Sequence, residues 1–151
     1  MNTFNYLGLM VIVLIMIPNM IFAKTNKEGF TNYYSNKKVE ILEQFGRFGC
    51  FAFMIINVPY TYFNFWFGGA KLIYIIVNFS LVFLYLLFWV ILWKKFTIFK
   101  SLILSILPSI IFICSGILLL SIPLIIFAII FVPTHILISY KNAKLSKTIQ
   151  D

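Results

Sequence analysis

The chain has 151 residues, 62% of them hydrophobic and 11% charged, with a mean hydropathy of +1.02. That balance excludes an ordinary water-soluble domain, which needs more polar surface, and the length leaves room for one domain, 1–151. The net charge of +8 is spread over short loops without a basic face; this excludes nucleic acid as a partner and fits Lys and Arg retained on the cytoplasmic side of a bilayer.

A bilayer core about 30 Å thick needs roughly 20 apolar residues per helix. In chain order, the stretches that meet this test are 4–23, closed by Lys24; 48–67, after Arg47; 72–93, between Lys71 and Lys94; and 101–140, between Lys100 and Lys141. The last would reach about 60 Å as one helix, twice the bilayer core. It is expected to fold back at Ser121-Ile122-Pro123, because proline suits the first turn of a new helix. The spacing therefore predicts an all-α bundle of five transmembrane helices over 4–23, 48–67, 72–93, 101–120 and 122–140.

Charge supports this count independently. Five crossings place eleven Lys and Arg on one side and one on the other, whereas four crossings give eight against four. The positive-inside rule then puts the N-terminus outside and the C-terminus in the cytoplasm, with a cytoplasmic loop over 24–47. The start, MNTFNY, lacks the basic residues of a signal peptide, so the first span is expected to stay uncleaved. Within the loop, Ser35 or Asn36 is a plausible N-cap, so a helix is expected to begin before the membrane does.

Few residues could carry chemistry. Glu43 and Arg47 have the favourable i, i+4 spacing for an ion pair. The plainer reading is a solvated, interfacial pair; the sharper one is a charged cytoplasmic mouth. His135, the one histidine, falls about 8 Å inside the edge set by Tyr140. It is either bonded to a neighbouring helix or a functional group. Asn19, Asn57 and Asn78 serve as interhelical hydrogen-bond formers. If Asn19 and His135 meet near Arg47, the three enclose a polar pocket that opens toward the cytoplasm. Gly46 and Cys50, and the stripe Ser101, Ser105, Ser109 and Gly116, are expected to be helix-packing surfaces.

Cys50 and Cys114 lie at different depths and form no CxxC, so neither a disulfide nor zinc is expected. No carboxylate falls inside a predicted span, and no HExxH or GxSxG occurs. No metal, cofactor or catalytic residue is therefore implied.

The stretches IPNMIF, LEQFGRFGCFAFM and PSIIFICSGILLLSIPLIIFA resemble those of an uncharacterised family of small multi-span bacterial membrane proteins. The resemblance covers nearly the whole chain and implies a membrane bundle, but no activity. Length and span number also match the tryptophan-rich sensory family; three Trp and none of its aromatic motifs exclude that assignment. The leading expectation is a non-enzymatic multi-pass protein of the cell membrane, a regulatory, protective or accessory subunit. Its partners would be the bilayer and either further copies of itself or a membrane partner protein. The alternative is a small oligomeric transporter or permease component for a small or lipophilic substrate.

Overall fold

The computed structural model describes residues 3–25, 32–58, 60–61, 65–94 and 97–150, side chains excepted at 149 and 150. These residues form five helices: α1 (Tyr6–Thr25), α2 (Lys37–Ile55), α3 (Ala70–Ile91), α4 (Ile98–Leu118) and α5 (Ile122–Gln150). Among them α1, α3, α4 and α5 are long and apolar enough to cross a membrane. Their outward faces are apolar too, with Leu72, Phe83, Val90 and Ile129 more than half exposed. Such a surface belongs in lipid, since water would not tolerate apolar patches of that extent.

α2 departs from expectation at its far end. It starts where its cap predicts, with Val39 N–H donating to the Asn36 side chain (3.4 Å). It then stops at Ile55, so the span expected over 48–67 is not one continuous helix. Pro59 explains the stop: it cannot donate to a helix, and it drives the residue before it toward extended backbone. Ile56 is already extended and forms an antiparallel bridge with Phe4. Asn5 N–H donates to the Ile55 carbonyl (2.7 Å), and Asn57 N–H to the Thr3 carbonyl (2.8 Å). The N-terminal segment thus satisfies backbone groups that a longer helix would have paired internally. Positions 59 and 62–64 of the expected span, 26–31 of the expected loop and 95–96 lie outside the described residues.

The turn between α4 and α5 falls where the length argument put it. Leu120 adopts a left-handed conformation (φ 48°), Ser121 N–H donates to the Gly116 carbonyl (3.0 Å), and Leu120 N–H to that of Ile117 (3.1 Å). This is the double bond pattern that closes a helix C-terminus. α5 then runs ten residues beyond Tyr140, so the basic tail continues the helix.

The helices alternate in direction. One end of the bundle gathers Phe4, Ile56 and the Ile122 N–H, which donates to the Thr61 carbonyl (3.2 Å). The opposite end joins Tyr34 to Asn142 through a 2.7 Å hydrogen bond. α2 and α4 pack on α5, α3 packs on α4, and α1 packs on α2 and α3. α1 and α3 make no extensive packing against α5. The space left between them holds the site.

Candidate functional site

α2 lies close against α5 because glycine removes the side chains that would hold them apart. A Cβ at Gly46 would come within 2.8 Å of the Phe131 backbone, and one at Gly49 within 1.9 Å of the Phe127 ring. This antiparallel register carries Glu43, one turn before Gly46, to His135, one turn after Phe131. The Glu43 residue is only 2% exposed. Its Oε1 accepts from Arg47 Nε (3.0 Å), is also reached by Arg47 Nη2, and lies 2.9 Å from His135 Nδ1. A carboxylate only accepts, so His135 carries a proton on Nδ1 and turns Nε2 away from Glu43. The imidazole also stacks on Phe131, with ring centroids 4.5 Å apart.

The ion pair expected between Glu43 and Arg47 is therefore present, but it is not solvated at an interface. Glu43 sits level with His135, between α2 and α5. The bundle thus buries a carboxylate that span counting had left in the loop 24–47. Two cation-capable groups engage that carboxylate, which is the usual condition for burying one.

Beside this cluster lies a cavity of about 670 Å³ walled by residues of all five helices. Asn19, Arg47 and His135 all line it, so the structure brings the three pocket residues to one space. They are not bonded to one another. Arg47 and His135 are linked through Glu43, whereas Asn19 Nδ2 donates to the Ile15 carbonyl (2.9 Å) and to the Tyr85 hydroxyl (2.8 Å). The Asn19 bond ties α1 to α3 on the wall opposite α5.

Lys100 enters the same wall. It was a boundary residue by sequence, yet it is 6% exposed. Its Nζ donates to the Trp93 carbonyl (3.1 Å) and lies 4.2 Å from the Phe22 ring centroid and 5.0 Å from that of Trp89. Aromatic faces attract an ammonium group and compensate for part of its lost hydration. Trp89 accordingly faces inward and is 5% exposed.

The packing residues divide. Gly46 meets Phe131, Cys50 is fully buried, and Gly116 meets Ile125 and Leu124 across the α4–α5 turn. Ser105 and Ser109 are 2% exposed, with Ser109 Oγ donating to the Ser105 carbonyl (2.7 Å). Ser101 instead lines the cavity, as Ser105 also does. Asn78 is fully buried, and its Oδ1 accepts from Ser115 Oγ (2.9 Å), a contact between α3 and α4 that the serine stripe did not include. Gly8 was also overlooked; a Cβ there would fall 2.1 Å from the Met54 carbonyl oxygen. Both cysteines are free thiols, and among the described residues no three His, Cys, Asp or Glu side chains gather as metal ligands.

Comparison of the chain with protein families, with curated proteins and with solved structures gives no match.

Proposed function

We propose that the chain is a five-span membrane protein, N-terminus outside and C-terminus cytoplasmic, that binds a small molecule from the cytoplasmic side as a carrier or ligand-binding subunit. The observation that carries this reading is the cavity of about 670 Å³, with Arg47 and His135 in its wall and buried Glu43 behind them. Its volume is that of a small-molecule site. Its lining runs from Phe51 and Phe112 out to Ser146 and Lys147 in the basic tail. An accessory subunit acting through packing alone has no use for such a void, which forfeits contacts throughout its lining.

The reading is non-enzymatic. A carboxylate orienting a histidine is the arrangement found behind many general bases. Here, however, no serine or cysteine among the described residues bonds to His135, and Arg47 shares the same carboxylate oxygen.

Cysteine accessibility tests the proposal. In a Cys50→Ala/Cys114→Ala background, Ser101→Cys and Ser139→Cys should react with a membrane-impermeant maleimide in inverted vesicles and not in intact cells. Protection from both faces would remove the open cavity. Reaction in intact cells would reverse the orientation.

A further inference from the structure

We infer that the cavity takes an organic anion with an apolar body, its charged group directed to Arg47 and Lys100 and its body to the floor beyond them. This rests on the ligand-binding reading above and adds the class of ligand.

Charge comes first. The charged side chains lining the cavity among the described residues are Arg47, Lys100 and Lys147, and none is acidic. Glu43 stands behind Arg47 and does not line the space. It engages Nε and Nη2, which fixes the guanidinium plane. Nη1 has no acceptor among the described residues, and a planar fork held along one edge presents the other to a carboxylate or phosphate.

Shape comes second. Phe112 lies twelve residues beyond Lys100 on α4, about 18 Å deeper at helical rise, and its ring meets that of Phe51, one turn beyond Arg47 on α2 (5.8 Å between centroids). Around that depth the lining is Ile15, Phe51, Pro108, Phe112 and Phe131, with no polar side chain. A fully polar anion such as inorganic phosphate would leave this floor unfilled, and a neutral hydrocarbon would leave the Arg47 donors unused. A carboxylate or phosphate on an apolar body satisfies both. Soluble organic acids and anionic lipids of the cytoplasmic leaflet share that chemistry.

Trp89 lines the cavity and reports its occupancy. Full-length protein carrying Trp66→Phe and Trp93→Phe retains Trp89 as its single tryptophan. In phosphatidylcholine nanodiscs it is titrated with a medium-chain fatty acid brominated near its carboxyl end, which the proposal places beside Trp89, and with the alcohol brominated at the same carbon, whose bromine quenches indole on contact. The acid should quench saturably, at a half-saturating concentration about tenfold or more below that of the alcohol, as a charge-assisted bond requires. Arg47→Lys and, separately, Lys100→Gln should weaken the acid several-fold and leave the alcohol unchanged; either variant suffices if the other does not fold.

Nanodiscs with brominated phosphatidylglycerol are compared with brominated phosphatidylcholine as the second arm. Stronger quenching by the anionic lipid, lost in Lys100→Gln, upholds the inference and assigns the lipid as source, whereas a response to the free acid assigns a soluble anion. Equal response to acid and alcohol without a preference for the anionic lipid, quenching indifferent to both substitutions, or no quenching by any probe overturns it. If the introduced cysteines still label from the cytoplasmic face in those cases, the ligand-binding reading stands and only the anion assignment falls.

Discussion

Glu43 Oε1 lies 2.9 Å from His135 Nδ1, and through this contact the charged half of α2 is seated on α5. The two residues are 92 positions apart, and each contributes a polar group to an interface where glycines of α2 meet phenylalanines of α5. The stability of the bundle should depend on this cluster unequally.

Arg47 is about a third exposed, whereas Glu43 is almost wholly buried. Arg47→Leu would strand the carboxylate with the imidazole alone and should cost about 3–5 kcal/mol. Glu43→Leu should cost less, because the arginine stem can carry its head toward polar surroundings. The double variant Glu43→Leu/Arg47→Leu should recover much of the Arg47→Leu loss. Equilibrium unfolding in mixed micelles reads all three; equal single-variant costs would contradict the burial difference.

The two glycines of α2 should respond differently to alanine. At Gly46 the added Cβ meets the Phe131 backbone, which cannot step aside without moving α5. Gly46→Ala should cost about 1–3 kcal/mol. At Gly49 it meets the ring of Phe127, a half-buried side chain able to swing outward. Gly49→Ala should cost less, and Phe127→Leu should relieve it, giving a non-additive pair in the same unfolding assay.

The Asn78–Ser115 bond is fully enclosed between α3 and α4. Ser115→Ala leaves the Asn78 carbonyl oxygen without that donor and should destabilise by about 1–2 kcal/mol. A cycle with Asn78→Leu should give a coupling of about 0.6–1.7 kcal/mol, the range seen for hydrogen bonds inside membranes. Full additivity would mean the bond contributes nothing.

Topology has a sharp test because α2 is not among the helices apolar enough to span by composition. In a five-span arrangement, reporter fusions after Thr25, Thr97 and Thr148 all report cytoplasm, and a fusion after Gly68 reports the outside. If α2 instead lay along the membrane surface, Thr25 and Gly68 would report the same side.

These features were unequally legible in the sequence. The α4–α5 turn could be read because 40 uncharged residues exceed one bilayer crossing and Pro123 sits at the midpoint. The start of α2 could be read because Asn36 is a local cap whose hydrogen bond is completed within three residues. The end of α2 carried its own signals, Asn57 and Pro59, but counting apolar residues ran past them. The burial of Glu43 could not be read. It follows from the register of α2 on α5, which Gly46 and Gly49 set against Phe131 and Phe127, and no local rule predicts that pairing. Lys100 was hidden for the same reason: its aromatic surroundings come from α1 and α3.

The i, i+4 spacing of Glu43 and Arg47 also matters while the chain is still being made. Residue 135 emerges long after residue 43, so α2 forms before its α5 neighbour exists. Its carboxylate does not wait for a counter-ion, because Arg47 follows one turn later on the same helix. The nascent helix therefore arrives as a locally neutral unit at this point, and the imidazole joins the carboxylate only when α5 docks and completes the cavity wall. Moving the arginine to another helix would preserve the finished charge count, yet leave a naked acid in the half-built protein.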